Sequence, residues 1–250
     1  MKLKHDQGWS MPADSPFYDL LPARYRHVKM QFVFFHAAPD AVDELLPEPL
    51  VADPDGLCLA GGIDIPDSHY GVFQESFLML RCRFGSQSGF YCSHVFHNGP
   101  AGIAAGREIY GTPKVYAVVR QHRCGFETTT ETWFRDQRIL TIRSETSEAA
   151  MHEELPMTGA AWRLKIIPRA DMPRPAIKQL VDCRSVTQQF VLHERTAGTG
   201  EVLLGAAGNL DLSRLTPLSY GRAYCQECSY YEGFGEIVYD YLNPADQKVP

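Results

Sequence analysis

Val72-Phe73-Gln74-Glu75-Ser76-Phe77-Leu78-Met79-Leu80-Arg81-Cys82-Arg83-Phe84, then Gly85-Ser86-Gln87-Ser88-Gly89, then Phe90-Tyr91-Cys92-Ser93-His94-Val95-Phe96 reads as two strands around a turn. Aromatic and aliphatic residues fill both runs, and the Gly/Ser cluster between them supplies the reversal. Comparable runs recur at residues 115–120, 126–134, 139–145, 163–167 and 186–193, separated by turns such as Arg135-Asp136-Gln137. Many short strands at this spacing predict a mostly β, α+β chain built on a closed or nearly closed antiparallel sheet. Two short helices are expected beside it. Pro39 suits a first turn, Ala41, Val42, Leu45 and Leu46 share a face, and Pro47 ends the segment; residues 176–181 form the second.

With no repeat, low-complexity run or long linker in 250 residues, one domain over 1–250 is the simplest organisation, its first 20 residues forming an arm. A net charge of −6 and a pI near 5.8 argue against a nucleic-acid surface, which needs a basic patch. No stretch approaches the ~18 apolar residues of a membrane helix, and residues 1–7 lead into no apolar signal core, so a cytoplasmic location is expected. Seven scattered cysteines make no disulfide framework; Cys225-Gln226-Glu227-Cys228 reads as strand cysteines rather than a redox or zinc pair. No metal is expected, because His94 and His97, three apart on a strand, face opposite ways. Gly198-Thr199-Gly200 reads as a hairpin turn rather than a phosphate loop.

The chemistry points to Lys114. It follows Gly106-Arg107-Glu108-Ile109-Tyr110-Gly111-Thr112-Pro113 and precedes Val115-Tyr116-Ala117-Val118-Val119, so one amine stands where a turn enters an uncharged strand. Surroundings that disfavour the ammonium free the amine to attack a ketone and form a Schiff base. The same spacing also describes a surface lysine at a strand start. In the strand from Val72, pleating puts Phe73, Glu75, Phe77 and Met79 on one face. If that row faces inward, burial raises the pKa of Glu75 and makes it a proton donor or acceptor near neutrality; if Val72, Leu78 and Leu80 face the core instead, Glu75 is wet.

Residues 106–114 resemble the Gly-Arg-Glu-x-x-x-x-Pro-Lys segment of the acetoacetate decarboxylase superfamily, whose lysine forms a Schiff base. Leu46-Pro47-Glu48-Pro49-Leu50, Phe73-Gln74-Glu75-Ser76, Leu164-Lys165-Ile166-Ile167-Pro168 and Glu236-Ile237-Val238-Tyr239-Asp240-Tyr241-Leu242 match further segments in order. The resemblance implies a β-barrel or cone with a few peripheral helices, no cofactor, and Lys114 as nucleophile, its amine activated by burial among uncharged neighbours. It also implies Glu75 as the proton-moving group with Phe73 beside it, and Arg107 and Glu108 as the family's Arg-Glu pair. Arg107 or Arg26, with Lys29 as rival to the latter, would hold a substrate carboxylate. Tyr110 and Tyr230 or Tyr231 are candidates for proton shuttling.

Two departures stand out. Leu59-Ala60-Gly61-Gly62-Ile63 replaces the stretch that carries a second glutamate in true decarboxylases, and Val115 replaces their second lysine. The resemblance then implies an aldolase-dehydratase or hydratase acting on pyruvate or another 2-oxo acid and an aldehyde. Decarboxylation of acetoacetate or another β-keto acid is the alternative, and an inactive barrel binding a small carboxylate the third. A homo-oligomer, dimer-based or tetrameric, is expected.

Overall fold

The structure, a computed structural model, describes residues 2–243. Residue 1 and residues 244–250 of the expected domain lie outside it. The principal strands are β1 (Ala23–His36), β2 (Leu57–Ile65), β3 (Phe73–Phe84), β4 (Gln87–His97), β5 (Lys114–Tyr116), β6 (Val118–Cys124) and β7 (Glu127–Phe134). They continue as β8 (Gln137–Ala149), β9 (Ala160–Pro168), β10 (Pro175–Asp182), β11 (Thr187–Leu204), β12 (Ser219–Glu232) and β13 (Glu236–Asp240). With two-residue pieces at Val51–Ala52 and Asp67–Ser68 they make one 15-stranded sheet, in the order β13-β10-β9-β4-β3-β2-β1-β12-β11-β8-β7-β6, with β5 on the side of β4.

The opening hairpin forms as its sequence predicts. β3 and β4 pair from Glu75↔His97 to Phe84↔Gln87, and Gly85 adopts a left-handed φ of 58° at the turn. The register breaks between Leu78 and Met79, where Ser93 is the extra residue of a β-bulge. Pairing is antiparallel except at β4, which takes both β9 and β5 in parallel along one edge. Among the described residues no pairing joins β13 to β6, so the sheet is mostly β and antiparallel as expected, without the hydrogen-bonded closure of a barrel.

Both faces of the central strands are buried. Phe32, Phe34, Phe73, Phe77 and Met79 pack into one core, while their strand neighbours Val33, Phe35, Leu78 and Leu80 pack with Ile139, Leu140 and Ile142 into another. The question of which row of β3 faces inward therefore has two answers, because the sheet has a core on each side. The N-terminal arm lies on the body of its own chain: Tyr18 is buried in the first core, and Trp9 packs edge-on against Phe234 at 5.8 Å.

Four expectations are corrected. Residues 176–181 lie in strand β10, not a helix; six residues carry too little periodicity to decide, and β9 and β13 on either side supply the ladder. Gly198-Thr199-Gly200 runs through the middle of β11 instead of turning; a Cβ at Gly198 would stand 2.0 Å from the Glu145 carbonyl oxygen, so the glycine permits close approach of strands. The run 115–120 is split at Ala117, whose N–H bonds to the His97 carbonyl at 3.1 Å, between β5 and β6. The approach to Lys114 is helical, with an α-helix at Pro100–Ala105 passing into a π-helix at Gly106–Tyr110. The first expected helix forms, over Pro39–Asp43. Cys225 and Cys228 lie in β12, and all seven cysteines are free.

Candidate active site

The π-helix delivers the lysine. Pro100 starts the helical segment, and Gly111, at φ 76°, ends it in a left-handed turn. A Cβ at Gly111 would fall 2.2 Å from the Lys165 Cα, so only glycine lets this turn rest on β9. The Thr112 N–H returns to the Gly106 carbonyl at 2.9 Å, and Lys114 then enters β5 opposite Val95. Its side chain runs back over Gly106, where a Cβ would stand 2.8 Å from Lys114 Cε. Gly106 already has helical dihedrals, so alanine there strains no backbone and displaces only the amine. Gly106→Ala is expected to fold normally and to lose about 10²-fold in the rate of ketone addition to Lys114, since an ångström of misplacement costs that much; a rate equal to the parent's would show that the amine has room to spare.

Lys114 projects into a cavity of about 400 Å³ whose lining includes Phe73, Glu75, Phe77 and Met79, the row that pleating placed together. Lys114 Nζ lies 3.1 Å from Glu75 Oε2, the two side chains being 12% and 15% exposed, and 5.7 Å from the Phe73 ring centre. His97, fully buried, stacks on Phe73 at 4.1 Å and accepts the Gly99 N–H on Nδ1 at 2.8 Å. That bond leaves the ring proton on Nε2, which faces Glu75 Oε2 at 3.7 Å. Burial and then Lys114 push the imidazole down to about 3 against the opposing pull of Glu75, so His97 is neutral.

The expected upward shift of Glu75 is reversed. Burial does push its carboxyl up, but Lys114, His97 and Arg163 outweigh it and hold the group below its ordinary value. The carboxyl that moves up belongs to Glu232, the last residue of β12: burial raises it, Glu75 adds to the rise, and Lys114, Arg163 and a 3.0 Å hydrogen bond from Tyr25 only partly offset this. Two carboxyls in one cavity are thus driven apart, the arrangement that separates a base from an acid.

Tyr110 and Tyr230 line the cavity, joined by Tyr25 and Tyr70. Burial first, and then the Glu232 charge, raises all four phenols, so they stay protonated as donors. The Tyr110 hydroxyl is committed to the Gly233 carbonyl at 2.7 Å, and Tyr230 stacks on Tyr25 at 4.9 Å. Tyr231 is off the cavity, one residue out of phase with Tyr230 along a pleated strand. Arg107 is exposed and donates to the Lys114 carbonyl at 3.1 Å, and Glu108 accepts the Tyr18 hydroxyl at 2.7 Å; the pair ties the turn and the arm together and neither lines the cavity. Arg26 and Lys29 are exposed as well, while Tyr25 beside Arg26 turns inward. Two guanidinium side chains line the cavity: Arg184, paired with Asp182 at 3.1 Å, and Arg163, which the sequence hides as one more strand residue between Trp162 and Leu164.

His94 stacks on Phe96 of the second core and His97 on Phe73 of the first, and among the described residues no group of three or more His, Cys, Asp or Glu side chains could hold a metal ion. No helix among them is long and apolar enough to cross a membrane.

The acetoacetate decarboxylase family model matches residues 10–242. The chain belongs to the acetoacetate decarboxylase family. It is 27% identical over 246 residues to an acetoacetate decarboxylase of Burkholderia mallei, covering 94% of this chain and 96% of that one. Among solved structures it resembles the acetoacetate decarboxylase of Legionella pneumophila, with a TM-score of 0.81 at 21% identity over 97% of this chain and 100% of that one. It also resembles the enduracididine biosynthesis enzyme MppR complexed with the condensation product of pyruvate and imidazole 4-carboxaldehyde, with a TM-score of 0.79 at 17% identity over 92% and 95%. Against the decarboxylase pattern, Gly61 takes on meaning: a Cβ there would fall 2.1 Å from Phe77 Cζ, so the Phe77 ring occupies the space of a longer side chain. Glu232 brings a second carboxyl to the cavity from β12.

Proposed function

We propose that the protein is a Schiff-base-forming lyase that condenses pyruvate or a related 2-oxo acid with an aldehyde, loses water, and runs the reverse hydration and retro-aldol cleavage. Glu75 takes a proton from the Lys114 ammonium, the neutral Nζ attacks the ketone carbon, and Glu75 returns that proton to the carbinolamine hydroxyl, which leaves as water to give the iminium. Glu75 takes a proton from the neighbouring carbon, whose electrons flow to the iminium nitrogen and give the enamine. The enamine carbon attacks the aldehyde carbon, and the alkoxide formed is protonated by Glu232 or through Tyr230. Glu232, left ionised, then takes the second proton from the former enamine carbon while Glu75 gives its proton to the hydroxyl, which leaves as water; hydrolysis of the iminium releases an unsaturated 2-oxo acid and restores the amine.

The single observation that carries this reading is the 3.1 Å approach of Lys114 to Glu75 inside a cavity that also holds a second, oppositely shifted carboxyl. A cavity of about 400 Å³ has room beyond a three-carbon acid, and its Met30, Phe32, Ile63, Ile65 and Phe77 walls suit an apolar aldehyde. Decarboxylation of a β-keto acid through the same iminium is the second reading, and Glu232 favours it by returning a second carboxyl to the site. Incubation with pyruvate plus an aromatic or short aldehyde should build the absorbance of a conjugated 2-oxo acid, while acetoacetate should lose CO2 no faster than in buffer. Rapid CO2 release without enone formation would reverse the ranking.

A further inference from the structure

His97 carries a proton that the resting site does not use. Its Nδ1 accepts the Gly99 N–H, so the ring proton sits on Nε2, which is shielded from solvent and makes no hydrogen bond among the described residues. Buried N–H donors are nearly always paired, so an unpaired one marks a contact still to be made. The ring has no freedom to seek an acceptor elsewhere. It stacks on Phe73 at 4.1 Å, and Cβ atoms at Gly99 and Gly102 would stand 3.0 Å from its Cε1 and 2.7 Å from its Nε2, so two glycines of the helical segment leave just room for it. What lies in reach is Glu75, which pairs with His97 across the β3–β4 ladder. Its Oε2, equally shielded, is 3.7 Å from Nε2, too far for a hydrogen bond and near enough for a small swing of the carboxyl to close.

Lys114 is what holds the carboxyl away. Its Nζ lies 3.1 Å from the same Oε2, and the ammonium is lost as a partner once that nitrogen is bonded to a substrate carbon, most completely in the enamine, where it is neutral. The remaining charged groups near Glu75 do not replace it: Arg163 acts through its charge alone, and Glu232 repels. We infer that His97 is a positioning residue, its Nε2–H taking over Glu75 Oε2 when Lys114 is joined to the substrate and holding the carboxyl while the other oxygen moves the proton. His97 has no exposure and does not line the cavity, so it acts through Glu75 and not on the substrate. Being neutral, the imidazole donates to a carboxylate and to a carboxylic acid alike, and the contact survives each change of charge on Glu75. The inference rests on the reading of Glu75 as the group that moves protons.

The test reads exchange of the pyruvate methyl hydrogens in D2O, which reports proton transfer at the substrate carbon alone, beside borohydride trapping on Lys114. His97→Asn sets an amide where Nδ1 stands and keeps an acceptor for the Gly99 N–H; His97→Gln reaches the Nε2 position and keeps a donor for Glu75. Positioning predicts that His97→Asn loses about 10²-fold in exchange, the cost of an ångström of misplacement, at an unchanged saturating yield of adduct, and that His97→Gln recovers most of the rate. A mere pin for the Gly99 turn predicts the reverse order; that order, or equal rates in the two variants, would overturn the inference. A further measurement keeps His97 itself and decides the matter if neither variant folds. In Lys114→Ala the NMR signal of the Nε2–H should move downfield of its place in the parent, and Lys114→Ala/Glu75→Ala should lose that shift. If the parent neither traps nor exchanges pyruvate yet the signal moves, the lyase reading fails and the contact with Glu75 stands; a signal that stays in place sinks the contact alone.

Discussion

Lys114→Ala is expected to leave a folded protein that traps no ketone under borohydride and turns over at the uncatalysed rate. The amine of Lys114 is the only lysine nitrogen lining the cavity among the described residues. Lys165, on β9 under the turn that leads to Lys114, spends its ammonium on the Ile109 carbonyl at 3.2 Å, outside the lining. Nothing else there can form an iminium, so the electron sink disappears with the residue instead of weakening by a factor. Peptide mass analysis after reduction with pyruvate should place a single adduct on Lys114 in the parent and none in the variant. An adduct confined to surface lysines of the parent would remove the Schiff base from the mechanism and leave a binding protein.

Glu75→Gln should preserve part of the adduct formation and cut turnover by ~10²–10⁴-fold, the usual contribution of a general acid-base group. The direction of its pKa shift fixes the form of the pH profile. Because Lys114, His97 and Arg163 hold the Glu75 carboxyl below its ordinary value of 4.5, it is ionised at every pH above that value, and protonation removes the base only at more acid pH. The acid limb of kcat/KM in the parent should therefore fall below pH 4.5, and the glutamine variant should lack it. A variant that turns over like the parent across pH 5 to 9 would make Glu75 structural and pass the proton to a tyrosine or Glu232.

Lys114 and Glu75 were legible because each sits in a short linear pattern: a proline-closed turn before an uncharged run, and a carboxylate in an aromatic row of period two. The sheet was legible for the same reason, strand by strand. Arg163, Glu232 and His97 were not, since their character comes from what surrounds them. Arg163 alternates along β9 like any strand cation, Glu232 looks like the polar end of a tyrosine-rich strand, and His97 gains its tautomer from the Gly99 amide. Arg107 and Arg26 stand beside residues that line the cavity, Gly106 and Tyr25, and one position out of phase leaves both exposed. The sign of the Glu75 shift could not be read either: burial alone argues upward, and the cations that reverse it come from β5 and β9, far away in sequence.

The parallel edge of β4 gives the cavity a built-in measure of length. β5 and β9 lie along the same side of that one strand, Lys114 opposite Val95 and Trp162 opposite Tyr91, with Arg163 one residue further. The backbones that carry the amine and the guanidinium are thus spaced by three positions of a single strand, roughly 10 Å at the rise of extended chain, less whatever the Ser93 bulge takes up. Both are bolted to the same ladder, so the gap between them cannot breathe with the surface loops. The separation of the two side chains' anchor points is therefore set by one strand of the central sheet and not by loops.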